Sequence, residues 1–377
     1  MLFNEDQKAL YKMVQQFAQK EIAPHAAEYD RTEKFPWENV KKMSDMGLMG
    51  LPVPEQYGGA EMDTASYILV VEEMSKACAT TGTILAVHSS AGMMPILHFG
   101  TEEQKKKYLP SLATGEKIGA FALTEPSAGS DAAGVRTTAV LEGDEWVLNG
   151  TKCFITNGGV ADIYSVFATT DRSKGTKGIT GFIVEKETPG FTIGSKEEKL
   201  GIRASATTEL IFDNCRIPKG NLLGKIGEGF KIAMKTLDSG RIGIGACSVG
   251  VAQAAFEEAV KYAKVREQFG KPIAAFQAIA FMLADMATQI EAARQLLYHA
   301  AGLKDAGMPF SKEAAMAKVF ASDMAVKVTN DALQIMGGYG YSREYPIERL
   351  LRDARIFPIV EGTNQIQRIV IAGQILK

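Results

Sequence analysis

A multi-domain α+β fold is predicted, with helical segments at both ends of the chain and a small β barrel or sandwich between them. Three observations predict it. Apolar residues recur at helical spacing through residues 1–118. Residues 119–222 change to short alternating stretches set between Gly, Thr and turn residues. Residues 223–377 return to helical periodicity, in long segments rich in Ala and Met. A chain of 377 residues exceeds what one core ordinarily serves, so these textures read as three domains: 1–118, 119–222 and 223–377.

In the first domain, Asn4 to Gln7 has the spacing of a capping box, and Leu10, Val14, Phe17 and Ala18 continue one helical stripe. Further helices are expected over 64–78 and 101–112, the second opened by Thr101 to Gln104. Pro24, Pro36, Pro52, Pro54 and Gly58-Gly59 are assigned to loops. In the second domain, strands are expected over 137–141, 146–148, 152–156, 163–169, 179–185 and 209–212. Asn149-Gly150 carries the strongest two-residue hairpin signal. In the third, helices are expected over 230–265, 273–305 and 312–336, the last stopped by Gly337-Gly338. Helices of this length in one domain suggest a bundle, its apolar excess covered by oligomerisation.

A formal net charge of -2, with Lys105-Lys106-Lys107 as the longest basic run, argues against nucleic-acid or anionic-membrane binding. No apolar stretch reaches membrane-spanning length, and the acidic start lacks the apolar core of a signal peptide, so a cytoplasmic protein is expected. Cys78, Cys153, Cys215 and Cys247 are too widely spaced for a metal or redox motif. His25, His88, His98 and His299 are likewise scattered, and no metal site is expected.

Three stretches imitate known sites. Gly243 to Ser248 lacks the third glycine of a dinucleotide fingerprint and follows a helix where a strand is required, so close helix packing accounts for it. Ser248 fails the nucleophile-elbow pattern for the same reason, and Gly220 to Ile226 lacks the spacing and hydroxyl of a phosphate loop. Two stretches are different. Glu361 follows the uncharged run Ile356 to Val360, a setting that raises a carboxyl pKa toward neutrality and suits a base for a weakly acidic C–H bond, although a helix-capping or ion-paired Glu fits these residues at least as well; Gly362 beside it permits close ligand approach. Phe121 to Asp131 offers small residues, hydroxyls and backbone amides suited to a polar ring or phosphate, although a surface turn has the same composition.

Five motifs in order carry a resemblance: LTEPSAGSD (Leu123–Asp131), FITNG (Phe154–Gly158), REQFGKPIAAFQ (Arg266–Gln277), QIMGGYGY (Gln334–Tyr341) and VEGTNQIQR (Val360–Arg368). Together they resemble the acyl-CoA dehydrogenase family over essentially the whole chain, with its short-chain, butyryl-CoA type the nearest in character. The resemblance implies a helical N-terminal domain, a central β domain and a C-terminal four-helix bundle. It further implies noncovalent FAD, a homotetramer built as a dimer of dimers, and electron-transferring flavoprotein as acceptor.

By the same resemblance, Phe121, Leu123, Thr124, Ser130, Phe154, Ile155 and Thr156 line the flavin, with Phe154 standing where many members have Trp. Arg266, Phe269 and Gln277 meet the cofactor of a neighbouring subunit, Arg266 at the pyrophosphate. Gln334, Gly337 and Gly338 admit its nucleotide half, and Thr363, Asn364 and Gln365 cover its AMP portion. Ser130, Asp238, Arg241 and Gly362 face the substrate. Taken singly, Arg266 beside Glu267 also reads as a surface pair, and Gly337-Gly338 as a helix stop.

The implied reaction is α,β-dehydrogenation of an acyl-CoA to the trans-2-enoyl-CoA. Glu361 takes the α proton and the β hydride passes to flavin N5. Members that carry their base beside the Asp-x-x-Arg motif would need a Glu where this chain has Gly240, which leaves Glu361 alone. Gly82 and Thr83 stand near where glutaryl-type members have Arg, which disfavours a dicarboxylyl-CoA; Val360 stands where Tyr is frequent, which changes the pocket without fixing a chain length, and a short, saturated acyl chain is the expectation. The alternatives are an acyl-CoA oxidase, an enoyl-CoA-reducing relative and a DNA-associated member of the fold.

Overall fold

The structure is a computed structural model and describes residues 4–376; residues 1–3 of the acidic start lie outside that range. The N-terminal helices are α1 (Glu5–Phe17), α2 (Ala26–Thr32), α3 (Trp37–Asp45), α4 (Thr64–Ala77), α5 (Ala79–Val87), α6 (Met94–Phe99) and α7 (Glu102–Ala113). The two expected capping boxes both form. Asn4 accepts from the Gln7 N–H at 2.8 Å, and Thr101 accepts from the Gln104 N–H at 3.2 Å, each Gln returning a bond to the cap N–H. Leu10, Val14 and Ala18 are buried. Pro24 is not in a loop: it opens a 3-10 turn, Ala23–His25, between helical segments, where its missing N–H is no loss.

The central domain is one eight-stranded sheet. Its strands are β1 (Gly119–Ala122), β2 (Thr138–Glu142), β3 (Glu145–Thr156), β4 (Ile163–Thr169), β5 (Ile179–Glu185), β6 (Phe191–Lys196), β7 (Thr207–Pro218) and β8 (Leu222–Leu223). Their order is β6-β7-β3-β2-β4-β5-β8, with β1 parallel to β4. The hairpin expected at Asn149-Gly150 does not exist. Both residues lie inside β3 at a register shift against β7, where the Asn149 side chain accepts from the Asn214 N–H at 2.8 Å. The chain turns between β2 and β3 at Gly143, with φ 63°, where Glu142-Gly143-Asp144 has turn composition. Gly150 is required for space, since a Cβ there would lie 2.5 Å from Thr137 Oγ1.

The C-terminal domain contains α8 (Gly229–Val265), a short hairpin of β9 (Glu267–Gln268) and β10 (Lys271–Pro272), then α9 (Gln277–Asp305), α10 (Ser311–Met336), α11 (Ile347–Ala354) and α12 (Asn364–Ile375). Helices α8, α9 and α10 pack on one another, and α12 lies along α10. The glycines of α8 are sites of close approach. A Cβ on Gly243 would meet the Tyr67 hydroxyl at 2.4 Å, one on Gly245 would meet Leu297 at 2.4 Å, and one on Gly250 would meet the Glu72 carbonyl of α4 at 2.3 Å. The sequence that imitates a nucleotide loop is thus a packing face, and Ser248 donates to the Ile244 carbonyl one turn back, at 2.8 Å.

Among the described residues no group of His, Cys, Asp or Glu could hold a metal ion, and no helix is long and apolar enough to cross a membrane. All four cysteines are free and buried. His88 is structural: the Gly119 N–H donates to Nδ1 at 3.1 Å, which leaves Nε2 to donate to the Leu112 carbonyl at 2.9 Å. Burial pushes its pKa down to about 4.

Candidate active site

After α11 the chain runs through the buried Phe357 into a tight turn before α12. Glu361 has φ 55° and Gly362 φ 86°, two consecutive left-handed residues. Glycine adopts that region freely, but glutamate does so only when its surroundings impose it. Those surroundings are side-chain donors. Gln367 Nε2 donates to the carbonyls of Glu361 (3.0 Å) and Gly362 (2.9 Å), and Lys318 Nζ from α10 donates to the Gly362 carbonyl at 3.0 Å.

The turn delivers the Glu361 carboxyl to α8. A Cβ on Gly240 would lie 2.5 Å from Oε2 and 3.1 Å from Oε1, so the absence of a side chain there makes the room the carboxyl occupies. Glu361 as a residue is half-buried, yet Oε2 is shut off from solvent and lacks a hydrogen-bond partner. Burial raises its pKa to about 7, while the Arg241 and Lys318 cations pull the other way. Arg241 is itself buried, bonded through Nη1 to Asp238 Oδ1 at 2.5 Å, and its Nε has no partner. Asp238 also accepts from Ser311 Oγ at 2.9 Å. The protein leaves unmade hydrogen bonds on an acid and on its neighbouring cation, at two atoms shut off from solvent. Neutral side-chain groups are left unpartnered elsewhere among the described residues, but these two are the ones on charged side chains.

The two stretches expected to line a flavin meet. The register between β3 and β7 breaks between Lys152 and Ile155, and the Cys153 N–H turns across to the Thr124 carbonyl at 3.0 Å. Phe154 lies in this break with φ 56° and is 64% exposed, a large aromatic presented outward on strained backbone. Thr124, Thr156 and Phe121 are half-buried near it, Leu123 and Ile155 are buried, and Ser130 is exposed. Two residues missed in the sequence hold this surface. Lys152, fully buried, donates to the Leu123 carbonyl (3.0 Å) and to Glu125 Oε1 (2.8 Å), and Glu125 also accepts the N–H groups of Arg136 (2.6 Å) and Thr137 (2.9 Å). No local pattern marks a partnership 27 residues apart. Glu125→Ala should leave a buried, uncompensated cation and lower stability by about 3–5 kcal/mol, read as a fall in the melting temperature.

The remaining cofactor candidates lie elsewhere in the chain. Gly240 and Arg266 are 26 residues apart on α8 and its cap, or about 39 Å along the helix axis. Arg266 caps α8 with its guanidinium 5.6 Å from the Tyr339 ring centre. Phe269 and Gly270, with φ 54° and 77°, form the two-residue turn between β9 and β10 and hold Phe269 at the tip, 93% exposed. Gln277, Gln334, Gly337 and Gly338 are exposed, and Gly337 ends α10 at φ 59°, ψ -136°, a conformation open in practice only to glycine. Arg266 and Glu361 therefore do not share one site within one chain. Thr363, Asn364 and Gln365 line a third place, a cavity of about 660 Å³ with Asp323, Arg355 and Arg368. Asn364 is committed inward: it accepts from Lys318 Nζ at 2.8 Å and donates to Ser322 Oγ (2.9 Å) and Asp323 Oδ1 (2.7 Å).

The exposed Phe154 ring, the hydroxyls of Thr124 and Thr156 and the interrupted β3 edge match the chemistry of a flavin: an apolar face and a polar rim. The residues present fit FAD.

Family models for the N-terminal, middle and C-terminal domains of acyl-CoA dehydrogenase match residues 4–116, 120–215 and 227–376. The chain is 59% identical over 376 residues to an acyl-CoA dehydrogenase of Bacillus subtilis, covering 100% of this chain and 99% of the relative. It is 56% identical over 372 residues to a short-chain specific acyl-CoA dehydrogenase of Clostridium acetobutylicum, covering 99% and 98%. A solved structure described as the electron transferring flavoprotein of Acidaminococcus fermentans contains a chain that superposes with a TM-score of 0.99 at 55% identity, covering 100% of this chain and 99% of that one.

Proposed function

Because the chain belongs to the acyl-CoA dehydrogenase family, whose members are FAD enzymes, we propose that it dehydrogenates a short-chain acyl-CoA to the trans-2-enoyl-CoA with Glu361 as the base. The observation that carries this reading is the Glu361 carboxyl, buried, raised in pKa and unpartnered at Oε2, over the bare surface of Gly240.

Bound FAD supplies the acceptor for the β hydrogen and its electron pair. The protein supplies the rest. Glu361 takes the α proton, and its near-neutral pKa makes it a stronger base than an ordinary carboxylate while leaving about half of it ionised at neutral pH. The charge that develops on the thioester oxygen needs donors. The Glu361 N–H has no protein acceptor among the described residues and is available for that oxygen. Gly362 keeps the backbone beside it open, and the Asp238–Arg241 pair fixes positive charge close to the carboxylate. Closing the pocket with substrate would exclude the remaining water and strengthen each contact.

Phe121, Thr124, Phe154 and Thr156 would receive the flavin ring, and Thr363 and Gln365 the adenine half. Arg266, Phe269, Gln277, Gln334, Gly337 and Gly338 would reach a neighbour's cofactor across a homotetramer, a reading that the length of α8 between Gly240 and Arg266 supports for Arg266. The short-chain reading follows the Clostridium relative, and electron-transferring flavoprotein as acceptor follows the Acidaminococcus structure.

One test is pH. The base must be ionised, so kcat/KM for butyryl-CoA should fall roughly tenfold per unit below about pH 7 and level off above it. A profile flat between about pH 5.5 and 8.5 would remove Glu361 from the rate equation.

A further inference from the structure

Lys318 is a buried cation that no step above employs. It sits on α10 with no exposed surface and spends two hydrogen bonds on the turn that bears Glu361: one on the Gly362 carbonyl at 3.0 Å, the other on Asn364 Oδ1 at 2.8 Å. Asn364 is in turn bound to Ser322 and Asp323 on the same helix. The C-terminal side of the left-handed Glu361–Gly362 unit, at Gly362 and at Asn364, is thereby tied to α10 through one ammonium group. Burying a lysine is costly unless its charge serves a partner. The carbonyl and amide it touches carry no full charge; the anions it faces are the Glu361 carboxyl, foremost, and Asp323.

We propose that Lys318 is the positioning residue for Glu361: it fastens the 361–364 turn to α10, so setting where the carboxyl lies against Gly240, and its charge keeps that carboxyl ionisable in a pocket without solvent. The proposal rests on the reading of Glu361 as the base. Burial depresses Lys318 itself to about 7, with Glu361 and Asp323 acting to hold its proton and Arg241 and Arg368 acting to remove it. The charged or titratable groups facing Glu361 are Arg241 from α8, Lys318 from α10 and Tyr67 from α4. Removing Lys318 leaves only Arg241 to oppose the burial of the carboxylate.

The test uses the FAD-loaded enzyme with Lys318→Met, which keeps the length of the side chain, and Lys318→Gln, which keeps a donor without the charge. In both, the rise of kcat/KM with pH should move up by about one unit or more. For Met, kcat at neutral pH should fall at least about tenfold with KM for the acyl-CoA little changed; Gln should recover part of kcat at high pH but not the shift. An independent readout is the infrared carbonyl band of protonated Glu361, assigned by its loss in Glu361→Gln, which should persist to higher pH in both variants. If Met fails to retain FAD, Gln carries the same two readouts. An unchanged pH profile and band in the folded variants would overturn the proposal. Full turnover by Glu361→Gln would instead overturn the reading beneath it.

Discussion

Glu361→Gln is expected to fold, bind FAD and turn over acyl-CoA at least about a thousandfold more slowly than the parent. The amide is nearly isosteric, so it occupies the same space over Gly240 and the left-handed turn keeps its donors from Gln367 and Lys318. The group loses only its ability to take a proton. The cost of burying a carboxylate also disappears. That cost grows with pH, because the folded protein holds the proton up to about 7 whereas an unfolded carboxyl releases it near 4.5. Below the unfolded value the two proteins should be equally stable; between the two values and above, the parent loses stability that the variant keeps. Flavin absorbance, melting temperature and anaerobic bleaching by butyryl-CoA separate these effects. Bleaching at the parent's rate would end the assignment.

Gly240→Ala should be almost as damaging by a different route. The added methyl would fall 2.5 Å from Glu361 Oε2 and 2.8 Å from Cδ, closer than non-bonded atoms approach. What must yield is the tip of a flexible side chain, so the helix should tolerate the substitution and stability should change little. The carboxyl, however, must move by about an ångström, and a displacement of that order costs about a hundredfold in rate. The expected signature is a low kcat with intact FAD and an ordinary melting temperature. A near-normal rate would show that the carboxyl has another productive position.

Much of this arrangement could be read in the sequence, for identifiable reasons. The long helices were legible because their periodicity is local: α8 and α10 begin within one residue of the expected positions. Glu361 was legible because the uncharged run before it is local, although Gly240, Arg241 and Lys318, which surround its carboxyl, are not. Strand pairing is not local, and there the reading failed. Asn149-Gly150 has the composition of a hairpin, yet β7 claims both flanks and converts the site to an irregularity within one long strand. Strands β1 and β6 escaped notice because each is completed only by a partner distant in sequence. The same holds for the groups that support the site. Glu125 finds Lys152, Lys318 finds Gly362, and Tyr67 finds Gly243, across separations that no motif spans. The resemblance places Asn364 at the cofactor; its hydrogen bonds to Lys318, Ser322 and Asp323, which tie the turn to α10, have no local signature.

Helix α8 presents Gly240 to one site and is capped by Arg266 some 39 Å away. It acts as a ruler between them. Adding or removing a single residue in its middle would swing one end by about 100° relative to the other, so that whichever face stayed packed, the second would point astray. Substitutions along this stretch leave that relation intact, whereas a homologue with an altered number of residues there should hold the Gly240 face and the Arg266 cap in a different relative orientation.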